Sequence, residues 1–513
     1  QEHTRTHTDR HKISLSAERD REIERGRERD TGSHTRMWAW IRARIPRWLG
    51  GLAPPSLHPH NRLPQRHNNS SSNHRGGDAR PHVLILGSGW AGMRVLAGLS
   101  HTMYRITMVS PRNYFVFTPL LPGTVAGTVE SRSIVEPVRR FARGRDIHFL
   151  EAECTDVDPV AQTVLCRQDI EVSTKKDYRQ VQIHFDKLII AVGASVNTFG
   201  IKGVQEFAYF LKEVPDARRL RYKIFDCFEM ASNPDLDPAS RRELLHFIVV
   251  GGGPTGVETA AEISDLVAED LQHLYPEIVQ DCVISLFEAH AVLSSFDKKL
   301  QEYTRQVFER NNIDLRIGVS VKEVRPHEVV LQDDSVEKCG FVLWSTGIAP
   351  RPFIRQSNSL PVDMRGRITV DEFLQVTCLP DATNSLSPEL VAAYRRGNIF
   401  ALGDCSYVEN RNFPATAAVA QQQAKYLARV FTDAAAGHKE DPGPFKFVKL
   451  GMLSYVGGYR AVADVPNTTG RGYFAWLFWR SVYLTKLVSL KNKVLVPLDW
   501  AKTFVFGRDV SKF

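Results

Sequence analysis

The chain runs to 513 residues, 43% of them hydrophobic, with seven cysteines and a formal net charge of +8, which leaves room for two or three domains with ample cores. The charge is uneven: residues 37–80 carry +6 and residues 445–513 carry +8, so 81–444 is acidic at −7. No nucleic-acid-binding motif accompanies the basic flanks, which turns them toward an anionic membrane or an import receptor, and the cysteines include no C-x-x-C pair or His/Cys cluster, which argues against a zinc or other metal site, a disulfide framework and a disulfide reductase.

Residues 1–36 mix Arg, Glu, Asp and His with almost no apolar periodicity and read as disordered or as upstream sequence. Met37 opens an Arg-rich, acid-poor, partly amphipathic stretch that passes into a Ser/Asn/His/Pro linker. Residues 37–80 therefore read as an organelle targeting peptide and linker, the alternative being a basic tail. No run of 18 apolar residues occurs, so no spanning helix is expected.

From 81 to 245 the pattern is strand, turn, helix and strand. The run His82–Leu86 enters Gly87-Ser88-Gly89-Trp90-Ala91-Gly92, a glycine-rich turn that leaves backbone N–H groups and a positive helix end facing a pyrophosphate. A helix is expected over Arg94–Leu99, then a strand Arg105–Val109. The residue after that strand is Ser110, followed by Pro111 and Arg112, where a ribose-gripping carboxylate is the commoner choice; any ribose or adenine contact falls to Ser110 or the Arg112 region. A second apolar strand closes at Ala191-Val192-Gly193.

Residues 246–350 repeat the plan. Phe247–Val250 leads into Gly251-Gly252-Gly253-Pro254-Thr255-Gly256 and a helix from Thr255 to about Leu274. Glu258, in its first turn, is read either as a charge favouring the positive helix end or as a carboxylate near a nicotinamide. The strand Val283–Phe287 ends at Glu288, placed to bond a ribose diol and to repel a 2′-phosphate, and Phe341–Thr346 is a strand ending at Gly347. Residues 351–444 return to a strand over 398–404, whose closing Gly403-Asp404 suits a flavin ribitol or phosphate. Two cradles in strand contexts imply two dinucleotides held face to face. Alternating strands and helices give an α/β fold of two Rossmann-like dinucleotide-binding domains, one nested in the other. Residues 445–513 lack the alternation and form a C-terminal amphipathic helical segment. In it Trp476, Trp479, Tyr483, Leu487 and Leu490 recur at helical spacing between cations, the pattern of a helix lying in a membrane interface; packing on the body or pairing with a second copy as a homodimer are its other uses.

The runs Val109–Pro122, Val249–Glu262, Trp344–Pro350, Ala401–Ser406 and Trp476–Phe513 resemble the type II, or alternative, NADH:quinone dehydrogenases of mitochondria. The resemblance implies noncovalent FAD in the first domain, NADH in the second, and reduction of a ubiquinone-type membrane quinone without proton pumping, by a peripheral protein of the mitochondrial inner membrane. It implies that Thr118-Pro119-Leu120 lies against the isoalloxazine, that Thr346 and Gly347 belong to the NADH site, and that quinone meets the helix carrying Ala418 and Gln422. The family usually has Gln where Ala418 stands, so quinone hydrogen bonding would rest on Gln422, water or neighbours. The polar stretch 379–396 lacks a calcium-loop pattern. A membrane-associated NADH-binding sensor or scaffold with little turnover is the alternative function.

Overall fold

The computed structural model describes residues 79–172, 175–378, 387–437 and 442–512. The expectations for 1–36, for 37–78 and for 379–386 lie outside the described residues. The first unit opens with β1 (His82–Leu86), α1 (Trp90–Gly98) and β2 (Arg105–Ser110), and continues through the short helix α2 (Leu121–Ala126), β3 (Ile147–Glu151) and β4 (Lys187–Ile190). After β5 (Tyr209–Phe210) and α3 (Val214–Ala231), a second unit follows: β6 (His246–Val250), α4 (Pro254–Leu266), β7 (Val283–Glu288), β8 (Ile313–Ile317) and β9 (Phe341–Trp344). The chain then runs through β10 (Ile399–Ala401) and α5 (Ala417–Ala435).

Each unit holds a wholly parallel five-stranded sheet, ordered β10-β4-β1-β2-β3 and β5-β9-β6-β7-β8. Because β10 pairs with β4, the chain re-enters the first sheet after completing the second. Parallel sheets are covered on both faces, so β1 and β6 are continuous apolar runs rather than alternating ones. Val83, Leu84 and Ile85 are fully buried, as are Phe247, Ile248 and Val249.

Several boundaries differ from the sequence expectation, among them β4, which ends at Ile190 and leaves Ala191, Val192 and Gly193 in the loop beyond it. Helix α1 begins at Trp90 rather than Arg94, because Gly89 is its N-cap and the helix grows straight out of the glycine turn. Strand β9 stops at Trp344, which leaves Thr346 and Gly347 in the following loop, and β10 covers only 399–401 of the expected 398–404. Helix α4 passes through a π turn (Val267–Leu271) into Gln272–Leu274, so the rod does end where its pattern fades. Every residue from Gly256 to Leu266 in α4 is buried. A helix hydrophobic on all sides belongs in a core, yet this one carries Glu258, Glu262 and Asp265.

The C-terminal part is an antiparallel meander, β11 (Met452–Gly457), β12 (Arg460–Val465) and β13 (Thr468–Gly472), followed by α6 (Tyr473–Lys486) and α7 (Leu490–Phe506). Strand β11 packs along α4, and α6 lies over β12 and β13. Among the described residues no helix is long and apolar enough to cross a membrane. The aromatic stripe expected to face lipid faces the protein instead: Trp476, Trp479, Tyr483 and Leu487 are all buried. Spacing of three or four defines an apolar face, but a protein core and a bilayer reward that face alike. Of the expected set only Leu490 is exposed; the outward apolar face lies along α7, at Leu490, Val494 and Leu498, and continues to Phe504, Val505 and Phe506.

Lys491, Asp499 and Thr503 tie helix α7 to the first unit, and so does one buried amide. Asn492 Nδ2 donates to Ser133 O at 2.7 Å and to Val135 O at 3.0 Å. Asn492→Ala should leave both carbonyls short of this donor and destabilise the protein by about 2–3 kcal/mol, read as a lowered urea midpoint at fixed cofactor occupancy.

Candidate functional site

The first cradle depends on two glycines that admit no side chain. Gly87 has φ +103°, and a Cβ there would lie 2.4 Å from Ala191 O; a Cβ on Gly92 would lie 1.8 Å from Gly87 O. At Gly89 nothing stands within 4 Å of the same position, so its open face is available to a ligand. The second cradle repeats this at equivalent points. Gly251 has φ +116°, a Cβ on Gly256 would meet Gly251 O at 2.0 Å, and Gly253, the N-cap of α4 before Pro254, is open. Glu288 reaches back to the cradle: its Oε2 accepts from Gly252 N at 2.6 Å and its Oε1 from His290 N at 2.8 Å.

The first cradle opens on a cleft of about 450 Å³, which the second cradle reaches through Thr255; Gly251, Gly253, Gly256 and Glu288 are not among its lining residues. Gly87, Gly89, Trp90, Ala91, Ser110, Pro111, Arg112, Thr118, Ala191, Gly193, Gly403 and Asp404 line it from the first unit, and Thr255, Thr346 and Gly347 from the second. Ser110 is 2% exposed, and its hydroxyl pairs with Ser88 Oγ at 2.9 Å while accepting from Arg112 N at 3.2 Å. It braces the turn, so a free ribose-binding hydroxyl is not what it offers. Arg112 is paired with Glu213. Burial holds the Asp404 carboxyl above the ordinary range, and nearby Lys212 draws it back down. Lys212 is in turn lowered by its own burial.

Trp90 Nε1 donates to Thr118 Oγ1 at 3.0 Å, and its ring meets Phe115 and Phe117 edge-on. That fixes the turn Thr118–Leu120, whose two sides face different spaces. Thr118 lines the cleft, whereas Pro119 and Leu120 line a second cavity of about 800 Å³ under the C-terminal part.

This second cavity is aromatic, and buried acids line it. Tyr455, Tyr473, Trp476, Trp479, Trp500 and Phe504 contribute rings; Glu258 and Glu262 come from α4. The Arg480 guanidinium lies over Trp476 at 4.1 Å and Trp500 at 4.4 Å. Trp479 Nε1 and Arg480 Nε are buried donors without a hydrogen-bond partner, and such groups are costly unless a ligand meets them. Glu258 Oε1 accepts from Tyr455 N at 3.0 Å. Burial pushes the Glu258 carboxyl up to about 8, with the neighbouring Glu262 adding to the effect and the Tyr455 N–H opposing it. Glu258 is thus a proton-carrying acid at neutral pH, turned toward this cavity. It is neither a solvated helix-end charge nor part of the cleft lining. Asp265, two turns further, accepts from Tyr455 Oη at 2.5 Å and Gly458 N at 2.9 Å and is pushed up to about 7, chiefly by burial.

Neither expected quinone contact reaches these spaces. Gln422 spends both ends of its amide on one residue, donating to Val448 O at 2.9 Å and accepting from Val448 N at 3.0 Å, and neither it nor Ala418 is among the lining residues of the two cavities. What the motifs missed is Lys212, Glu262, Trp479, Arg480 and Arg508. Glu262 did have a signal: acids at 258, 262 and 265 fall on one face of an otherwise apolar helix. The seven thiols are all free of disulfides, and five are buried.

Residues 81–424 match the model of the pyridine nucleotide-disulphide oxidoreductases, and residues 450–509 match the NDH2 C-terminal domain. A probable NADH dehydrogenase of Dictyostelium discoideum is 41% identical, over 84% of this chain and 91% of its own length. The mitochondrial internal alternative NAD(P)H-ubiquinone oxidoreductase A1 of Arabidopsis thaliana is 37% identical over 88% of each. NDH2 from Plasmodium falciparum, solved in complex with NADH, superposes with a TM-score of 0.77 at 28% identity, covering 84% of this chain and 100% of that one.

Gly92→Ala should break the first cradle itself, lowering the melting temperature even of cofactor-free protein. Gly89→Ala should leave that temperature near wild type but strip flavin from the purified chain. Absorbance at the flavin band per chain, beside a thermal melt, checks both.

Proposed function

The chain belongs to the pyridine nucleotide-disulphide oxidoreductase family, on its type II NADH dehydrogenase branch, and we propose that it passes a hydride from NADH to FAD and two electrons on to a membrane quinone of the ubiquinone type, without pumping protons. The observation that carries this reading is the pair of cavities set back to back across Thr118–Leu120. One is walled by the first glycine cradle and the loop after β9, the other by rings and a protonated acid.

The open faces of Gly89 and Gly253 and the helix N-termini behind them fit two pyrophosphates. Gly87–Gly92 with Asp404 would hold FAD, and Gly251–Gly256 with Glu288 would hold NADH. FAD, when bound, supplies the hydride acceptor and the two-electron store. The chain's own residues do the placing. Each Glu288 oxygen already takes one backbone N–H and keeps a lone pair for a ribose hydroxyl, which favours NADH over its 2′-phosphate relative. Trp90 and Thr118 fix the dividing turn.

Quinone reduction needs protons as well as electrons, and the aromatic cavity offers both a proton and donors. Glu258 holds a proton up to about pH 8, and the unpartnered Trp479 Nε1 and Arg480 Nε are suited to a carbonyl oxygen. We assign the quinone head to this cavity in place of Gln422.

The outward face of α7, with Lys493 and Lys502 beside its exposed apolar residues, is suited to an anionic lipid surface. Together with the Arg-rich stretch after Met37 and the mitochondrial relative, this supports a peripheral enzyme of the mitochondrial inner membrane.

NADH oxidation in reconstituted vesicles, with several quinones and flavin content measured on the same sample, is the direct test; a purified chain without FAD would sink the reading. Glu258→Gln should reduce quinone turnover about 10²-fold or more while NADH still bleaches the flavin. Val505→Ser with Phe506→Ser should release the protein from anionic vesicles in sedimentation without loss of NADH-dependent dye reduction.

A further inference from the structure

The segment 507–512 crosses back over α4 after α7 ends. Gly507 has φ +77° and a Cβ there would press on Asp270 Oδ1 at 2.6 Å, so the turn admits only glycine. Arg508, its side chain 5% exposed, donates through Nη1 to Glu269 Oε2 and Asp270 Oδ2, each at 2.7 Å, and its backbone N donates to Asp270 Oδ1 at 2.8 Å. Two further contacts pin the strap to α3: Arg221 donates to Asp509 O, and Lys512 Nζ to Asp226 Oδ1 at 2.6 Å. Gly507 and Arg508 form part of the aromatic cavity's wall.

A chain of donors then runs inward. Arg508 Nε donates to Thr128 Oγ1 at 3.2 Å, and Thr128 Oγ1 donates to Glu262 Oε2 at 2.5 Å. A guanidinium has no acceptor, so the hydroxyl must accept from it and direct its own proton at Glu262. That bond and the Arg508 charge oppose the burial that raises the Glu262 carboxyl above its ordinary range.

We propose that Arg508 is a positioning residue for the quinone half-reaction: through Thr128 it keeps Glu262 as a carboxylate beside Glu258, so that Glu258 is the member of the pair that carries the proton. This rests on the quinone reading given above. Glu262 is also faced by Arg480 from α6, by Tyr455 from β11, and by Glu258, Asp265 and Glu269 from its own rod. Without Arg508, Glu262 takes up a proton more readily and stops repelling charge on Glu258. Glu258 then releases its proton at lower pH.

The test compares FAD-loaded wild type, Arg508→Met, Arg508→Lys, Thr128→Val, Glu262→Gln and the Arg508→Met/Glu262→Gln pair in vesicles containing ubiquinone. Arg508→Met should lower quinone kcat about tenfold at alkaline pH, the scale of one lost charged hydrogen bond, with a smaller change in KM. The alkaline limb of its kcat profile should move to lower pH. Arg508→Lys should recover most of that movement, and Thr128→Val, which leaves the strap intact, should reproduce it. Melting temperatures of the double variant should be less depressed than the two single changes would sum to, since both remove one interaction. A profile in Arg508→Met or Thr128→Val that overlies wild type, or strictly additive melting shifts, would overturn the proposal. Wild type that bleaches with NADH but never turns over quinone would instead sink the quinone reading, and the melting cycle would still judge the coupling of Arg508 to Glu262.

Discussion

The architecture turns on a helix that should not tolerate what it carries. Helix α4 is buried from Gly256 to Leu266, and on one side it holds three carboxyl groups away from water. Unpaired buried charge is among the costliest features a protein can have. Two of the acids are met by the meander and the third by the first unit. Glu258 takes the Tyr455 N–H, Asp265 takes Gly458 N and the Tyr455 hydroxyl, and Glu262 takes the Thr128 hydroxyl. The meander β11–β13 is therefore required by α4, and the first unit is drawn into the same network through Thr128. This is how the C-terminal meander and the nucleotide-binding core become one body.

The same helix has two ends of opposite use. Its N-terminus, released by Gly253 and Pro254, faces a space for a nucleotide, while its flank supplies protonated acid to the aromatic cavity. Between the two spaces stands the three-residue turn Thr118–Leu120, held by one indole hydrogen bond. A thin divider of this kind suits electron passage between two ligands that never mix, because a substrate soluble in water and one soluble in lipid can approach from opposite sides.

Much of this was legible in the residues, and the pattern of hits and misses has physical causes. The parallel sheets and both cradles were readable because continuous apolar runs ending in fixed glycine spacings arise from backbone demands, at Gly87, Gly92, Gly251 and Gly256, that few other structures make. Helix ends were off by a few residues where the glycine turn merges into α1. The C-terminal stripe was found but turned the wrong way, since the spacing of Trp476, Trp479, Tyr483 and Leu487 reports an apolar face and not its neighbour. Gln422 was singled out by its motif, yet its amide closes on Val448, a partner 26 residues on that no local pattern announces. Arg508 lies 246 residues from Glu262 in sequence, and only the fold reveals that they share Thr128.

The free cysteines acquire a meaning from where they sit. Burial pushes Cys166, Cys227 and Cys405 up to about 11 and Cys339 up to about 12, so almost none of these sulfurs is anionic at neutral pH, and the anion is the reactive form. A catalyst that handles reducing equivalents beside oxygen is exposed to peroxide of its own making. By keeping its sulfur unreactive, this chain insulates its scaffold from the electron traffic it conducts, and alkylating reagents should find it a poor target.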